Sequence, residues 1–114
     1  MRHSFRLLSL TVATLTFASA AFAWDGVVSG NISQLDTINE SNNYELRLYL
    51  GGTRMCNNTD STLNTWAYLN SSDPNYKGTL ANLMLAYATG KSVTIFTMND
   101  NGAGCHIHYV MVRG

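Results

Sequence analysis

Residues 76–97, YKGTLANLMLAYATGKSVTIFT, contain the change of pattern that decides the fold. In the first part, apolar residues recur at intervals of three and four, which is the spacing of one helix face. From residue 92, β-branched residues alternate with others, which is typical of a strand. Gly90 lies between the two parts, where helices commonly end in a left-handed residue. The stretch therefore predicts a helix that leads through a glycine into a strand.

The helix has a predicted start and a predicted buried side. Asp73 is a candidate N-cap, and Pro74 suits the first helical turn. Gly78 disfavours the helix interior by about 1 kcal/mol relative to Ala. The predicted apolar stripe consists of Tyr76, Leu80, Leu83, Met84 and Tyr87.

Three strands are predicted before the helix. The first covers 27–38, where Gly30 predicts a bulge or a close backbone approach. The second covers 44–50, and we expect it to form an antiparallel hairpin with the first. Its alternation places Tyr44, Leu46, Leu48 and Leu50 on one face. The third strand is predicted at 66–69.

Two further strands, 92–98 and 105–112, follow the helix and form a hairpin around the Asn-Gly pair at 101–102. In the first of them, Val93 and Ile95 are predicted to lie on one face of the strand, and Thr94, Phe96 and Met98 on the other. In the last strand, the inward residues are predicted to be Cys105, Ile107, Tyr109 and Met111. His106, His108, Val110 and Val112 would form its other face. That face is partly apolar, which predicts a covering element or partner chain.

The resulting order, β-β-β-α-β-β, defines the predicted fold class. We expect a mainly β protein with one helix, arranged as a small OB-like antiparallel barrel. Five short strands with a helix between the third and fourth are typical of that fold, whose strand faces and loops commonly bind oligosaccharides or oligonucleotides.

The N-terminal residues 1–23 are predicted to be a secretory signal. Arg2 and Arg6 precede a short apolar run, and Ala21 and Ala23 suit a signal-peptidase site. The run is too short for a membrane span, which needs about 20 apolar residues. We therefore expect one domain at 24–114, secreted or periplasmic, with no membrane span in the mature chain.

Charge argues against nucleic acid as a partner. The chain has seven basic and seven acidic residues, and two of the arginines fall in the predicted signal. The remaining basic residues are scattered and form no stripe that could follow a phosphate backbone.

The two cysteines, Cys56 and Cys105, predict a disulfide because exported proteins meet oxidising conditions. The bond would close a loop of about 50 residues and contribute about 4 kcal/mol. The alternative is a reactive Cys105 with His106 or His108 as its base. Strand alternation opposes it, because neighbouring side chains point to opposite faces.

His106 and His108 share a face and are the weak candidates for metal ligands. A metal site needs three or four ligands, and the neighbouring sequence supplies no evident cluster. We therefore expect neither a metal site nor a cofactor.

The segment 56–96 resembles B subunits of pentameric bacterial toxins of the subtilase-cytotoxin and typhoid-toxin type. The similar features are the helix-to-strand run quoted above, Cys56 upstream and the pair Trp66–Ala67 before the helix. The resemblance implies an OB fold and glycan binding. It departs from that family in the position of the second cysteine, which here lies in the last strand, and it transfers no individual site residue.

The expected function is a secreted, non-catalytic binding module, glycan-binding in the manner of a toxin B subunit and able to form a homo-oligomer. Candidate sugar-stacking residues are Trp24, Tyr49, Trp66 and Tyr68, although aromatic residues near strands also serve as core. The alternative is a secreted structural or protein-interaction domain, such as an inhibitor or toxin-associated subunit. The chain has no G-x-S-x-G, H-E-x-x-H or P-loop motif, so we do not expect an enzyme.

Overall fold

A computed structural model describes residues 23–114 and confirms a mostly β fold with one helix. The secretory signal predicted for 1–23 lies, except for Ala23, outside the described residues. The elements are β1 (Gly26–Asn31), β2 (Gln34–Thr37), β3 (Leu46–Tyr49), β4 (Ala67–Leu69), α1 (Tyr76–Thr89), β5 (Ser92–Met98), a 3₁₀ turn (Asp100–Gly102) and β6 (Cys105–Val112).

The six strands form one mixed sheet in the order β1-β5-β6-β4-β3-β2. The predicted hairpins are confirmed as the antiparallel pairs β2–β3 and β5–β6. β4 and β6 pair in parallel, and the remaining neighbours are antiparallel. β1 and β2 stand at the two ends of this order although only Ile32 and Ser33 separate them in the chain.

The predicted first strand is divided in two at Ile32 and Ser33. The side chain of Ile32 is buried, and the backbone N–H of Ser33 already donates to the carbonyl of Tyr49 at 2.9 Å. The prediction for Gly30 is wrong, because a Cβ there would meet no atom within 4 Å. The close backbone approach is at Gly26, where a Cβ would lie 1.8 Å from the carbonyl oxygen of Met55.

Alternating strand residues form the core, and α1 covers it against β5 and β6. The fully buried side chains include Leu46, Leu48, Leu83, Val93 and Ile95. Burial of these side chains is the main favourable contribution to folding. The opposite side of the sheet, which we call the outer face, carries Arg47, Tyr68 and His106. Tyr68 pairs in register with Arg47 on one neighbouring strand and with His106 on the other.

The predicted disulfide is confirmed. Cys56 and Cys105 are bonded, with their Cα atoms 5.4 Å apart, and both residues are buried in the core. Cys105 begins β6, and Cys56 lies in the loop between β3 and β4. The bond therefore connects the last strand to a loop that precedes the helix.

The helix agrees with the prediction at its end and differs at its start. Gly90 is left-handed and its N–H donates to the carbonyl of Ala86. The N-cap is Asn75, also left-handed, and Asp73 does not cap the helix because its carboxylate is used elsewhere. The predicted stripe is wrong at Met84 and Tyr87, which are exposed.

Ala86 is buried in place of those two residues. The reason is that α1 contacts the core through a narrow line of residues, Leu83 and Ala86, with Tyr76 and Leu80 partly buried beside it. Within residues 23–114, none of the helices combines the length and the apolar character that crossing a bilayer requires.

Tyr44 differs from its predicted position. It adopts a left-handed backbone conformation with φ of 54°, which turns its side chain away from the leucines of β3. Its ring packs edge-on against Tyr68, and its hydroxyl donates to the carbonyl of Ala103 at 2.6 Å. Leu46, Leu48 and Leu50 are buried as predicted.

Candidate functional site

Two histidines of β6, His106 and His108, lie next to each other, and the strand has a β-bulge at the second of them. Phe96 pairs with Tyr109 and Thr97 pairs with Ile107, so His108 is an extra residue on its strand. Bulges locally bend a strand and redirect the side chains near it. The rings of His106 and His108 lie 4.8 Å apart in an edge-on contact.

The same bulge reverses the alternation for the rest of β6. Cys105 and Ile107 are buried as predicted, but Tyr109 is 51% exposed. The predicted inward positions of Tyr109 and Met111 are therefore wrong. Val110 and Val112 pack against the core instead, which accounts for their apolar character without a covering partner.

Two carboxylates contact His106, one at each ring nitrogen. Nε2 donates to Asp73 Oδ2 at 2.7 Å, and Nδ1 lies in hydrogen-bonding contact with Asp100 Oδ2. The same Asp100 oxygen is 3.1 Å from His108 Nε2. We call Asp73, Asp100, His106 and His108 the His–Asp cluster. The expectation that the neighbouring sequence supplies no cluster of ligands is wrong, because Asp100 lies only 6 residues before His106 and a second loop brings in Asp73, 33 residues before it.

The loops that carry these carboxylates are tightly folded. Asp73 Oδ2 also accepts from the backbone N–H of Asn70 at 2.8 Å, and the Asp73 N–H donates to the carbonyl of Asn70 at 2.9 Å. Asp100 begins the 3₁₀ turn, whose next two residues, Asn101 and Gly102, are left-handed. Asn and Gly adopt this conformation more readily than other residues. Both carboxylates are thus positioned by local backbone structure.

Electrostatics favour a charged cluster. Burial opposes the charged form of His106, but hydrogen bonds and attraction to Asp73 and Asp100 outweigh it and raise the pKa of His106. Burial likewise opposes charge on Asp100, and its contacts with His106 and His108 outweigh that effect and lower the pKa of Asp100. Burial, followed by the negative charge of Asp100, raises the pKa of Tyr68 to about 12. The cluster therefore favours the protonated form of His106 and the ionised form of Asp100, and it favours the neutral form of the neighbouring Tyr68 phenol.

Aromatic rings extend from the His–Asp cluster in two directions. On one side, Tyr68 stacks on His106 with centroids 4.8 Å apart and planes 8° from parallel. Beyond it, Tyr44 and Trp66 pack edge-on at 5.1 Å, and the Arg47 guanidinium lies 4.9 Å above the Trp66 ring. This side is buried: Tyr68 and Trp66 are only 5% and 8% exposed.

The other side is open to solvent. Trp24 lies 6.2 Å from His108 and 5.5 Å from Phe96, and Phe96 packs against Tyr109 at 4.8 Å. Trp24 and Phe96 are half-buried. We call Trp24, Phe96 and Tyr109 the aromatic patch. Ring contacts therefore connect exposed aromatic surface to the His–Asp cluster and then to the buried rings.

A cleft of about 170 Å³ adjoins the cluster. Its lining consists of Asp73, Pro74, His106, Ile107 and His108. A wider and shallower depression of about 330 Å³ lies along β1 and includes Asp25, Arg54 and Asn57. The polar groups of that depression largely satisfy one another, since Asn57 donates to Asp25 at 3.1 Å and Arg54 donates to two backbone carbonyls. We take the smaller cleft as the candidate site because it is lined by the His–Asp cluster and adjoins the aromatic patch through His108.

Three of the four predicted sugar-stacking residues belong to the ring system. Trp24 lies at its open side, whereas Trp66 and Tyr68 are buried and support the site from within. Tyr49 stands apart, two residues beyond Arg47 on β3, and makes none of the ring contacts found in the described part of the chain. Sequence reasoning missed Tyr109, because only the bulge exposes it.

The candidate metal ligands, His106 and His108, do lie together, and Asp100 joins them: one ligand atom from each residue fits within 4.8 Å. Neither sulfur can serve as a nucleophile beside them, since both cysteines are in the disulfide. The arrangement presents imidazole and carboxylate groups in a cleft beside exposed rings. No protein-family model, curated protein or solved structure matches the chain.

Proposed function

We propose that this protein is an exported, non-catalytic binding protein that binds a glycan at the cleft and the aromatic patch. The observation that carries the proposal is the junction of the two surfaces at His108, which lines the cleft and contacts Trp24. Sugars have apolar C–H faces and polar hydroxyl groups. A site that combines ring faces with a few positioned polar groups suits both.

The His–Asp cluster supplies the polar part of this site. Asp73 and Asp100 accept hydrogen bonds, and the ring nitrogens of the histidines donate them. The cluster is held by backbone contacts before any ligand arrives, so little ordering is needed on binding. Preorganisation of this kind favours affinity because less entropy is lost.

The proposed architecture is the OB-like barrel, which binds oligosaccharides in other proteins. The support is the path of residues 26–37. The first part of this segment, β1, pairs with β5 at one end of the sheet order, and the last part, β2, pairs with β3 at the other end. Treated as one bent strand, this segment would close the sheet. A role like that of a toxin B subunit also belongs to the proposal, and a gene for a toxin-like catalytic subunit beside this one would support it.

A glycan array followed by titration calorimetry tests the proposal. We expect micromolar binding to a restricted set of glycans and at least a tenfold loss for Tyr109→Ala, equivalent to about 1.4 kcal/mol. Tyr87→Ala is the matched control, since Tyr87 is 48% exposed but lies on the helix. Absence of binding across a broad array, with folded protein, contradicts the proposal. Equal losses for the two variants contradict the assigned site.

A second candidate function is self-association or protein binding through the outer side of α1. Met84 and Leu85 are 54% and 58% exposed, and Tyr87 lies beside them. Exposed apolar clusters of this kind often mark interaction sites. Light scattering with size-exclusion chromatography tests it: a homo-oligomer that Leu85→Lys dissociates supports the candidate, and a strict monomer at high concentration opposes self-association.

A further inference from the structure

The geometry of the His–Asp cluster supports a second role that does not depend on glycan binding. We propose that Asp100, His106 and His108 bind one divalent transition-metal cation of the Zn²⁺ type, with Asp73 orienting His106. Two imidazoles and one carboxylate form a ligand set that zinc and related cations accept, with a remaining position for water or another ligand.

The ligand atoms converge on one point. Asp100 Oδ2 contacts both histidines, and the atoms offered by the three residues all lie within 4.8 Å of one another. Zinc bonds of about 2.0–2.1 Å place tetrahedral ligands about 3.3 Å apart. Because the His108 side chain is 40% exposed, its ring is free of core packing that would prevent the small rotation needed to close on the ion.

Asp73 gives the site the outer contact that metal-binding histidines usually have. His106 Nε2 donates to Asp73 at 2.7 Å, which leaves Nδ1 directed toward Asp100. A carboxylate at the far nitrogen fixes the ring orientation and increases the basicity of the ligand. Asp73 is itself held by the N–H of Asn70, so this contact is also built in advance.

The cleft provides access for the ion and room for a fourth ligand. His106 and His108 both line it, and its volume of about 170 Å³ exceeds that of several water molecules. The two rings lie next to each other beside the cleft, with centroids 4.8 Å apart. The residues of the proposed site therefore come from three elements: β6, the β5–β6 turn and the β4–α1 connection.

Titration calorimetry with Zn²⁺ on untagged, chelator-treated protein tests the proposal. We expect one ion per chain with micromolar or tighter affinity, at least 100-fold weaker binding for His108→Gln and about 10- to 100-fold weaker binding for Asp73→Asn. Asp36→Asn is the matched control, because Asp36 lies on β2 and its carboxylate accepts hydrogen bonds from Gln34. Its affinity should equal that of the wild type.

Circular dichroism must show that His108→Gln remains folded, which the exposure of this side chain leads us to expect. Co²⁺ provides an independent measurement, since its visible absorption bands report tetrahedral coordination. Absence of saturable binding below millimolar Zn²⁺, or an unchanged affinity in folded His108→Gln, overturns the proposal. Neither result affects the glycan proposal, whose decisive variant is Tyr109→Ala.

Discussion

Removal of the Cys56–Cys105 disulfide should reduce stability by an amount that follows from its position in the chain. The bonded residues are separated by 49 positions, and closing a loop of that length in the unfolded chain corresponds to about 4 kcal/mol at 25 °C. We therefore expect the double variant Cys56→Ala, Cys105→Ala to lose about 4 kcal/mol of unfolding free energy. For a domain of this size the loss corresponds to a melting temperature lower by roughly 20 °C.

Guanidinium unfolding measures the effect, with an expected midpoint about 1.5–2 M below that of the oxidised protein. Reduced wild-type protein is the control, because it keeps both sulfur atoms but lacks the crosslink. It should match the double variant to within about 1 kcal/mol, the scale of the packing lost with two buried sulfur atoms. If the double variant and the oxidised protein unfold at the same midpoint, the loop-closure reasoning is refuted.

Three other experiments test the pKa, packing and backbone arguments. Tyr68 has a pKa raised from 10.0 to about 12, so the stabilisation from its neutral phenol is complete below pH 10 and is lost as pH rises through about 12. Guanidinium midpoints of Tyr68→Phe should fall less over this window than those of the wild type, and parallel curves would contradict the assignment. Leu83→Ala should lower the free energy of unfolding by about 2–5 kcal/mol because Leu83 is buried, and Met84→Ala by no more than about 0.5 kcal/mol because Met84 is exposed. Thermal or chemical unfolding measures both values, and similar losses would show that the helix faces are misassigned. Gly26→Ala should destabilise by at least 1–3 kcal/mol on the usual scale for overpacking, because its Cβ would collide with the Met55 carbonyl, whereas Gly30→Ala should be neutral. Equal unfolding midpoints for these two variants would refute the close approach at Gly26.

The mostly β content with one helix was predictable because several elements have a strong local signal. The leucines of β3 alternate with period two, Gly90 ends the helix, and the Asn-Gly pair marks the turn between β5 and β6. The disulfide followed from the predicted compartment and from the number of cysteines. The strand, helix and turn signals each involve residues close together in the sequence. The disulfide was predictable because two cysteines allow only one pairing.

The candidate site was less predictable because it depends on irregular backbone. A bulge has no clear sequence signal, and the one at His108 changes the face of every residue that follows in β6. Tyr44 also left its predicted face through a left-handed conformation. Asp73 resembled a helix cap, and only the tertiary structure shows that its carboxylate serves His106. Contacts across tens of residues cannot be read from periodicity.

The extra residue in β6 lies outside the regular ladder between β5 and β6. Deleting His108 would leave Ile107 opposite Thr97 and Tyr109 opposite Phe96, so the remaining residues would alternate regularly and keep the faces they now have. Exchanging the same side chain leaves the pleating untouched, because the ring projects from the surface. Among relatives of this protein, a missing residue at this position should therefore leave the fold intact and remove the imidazole on which both proposed binding roles depend.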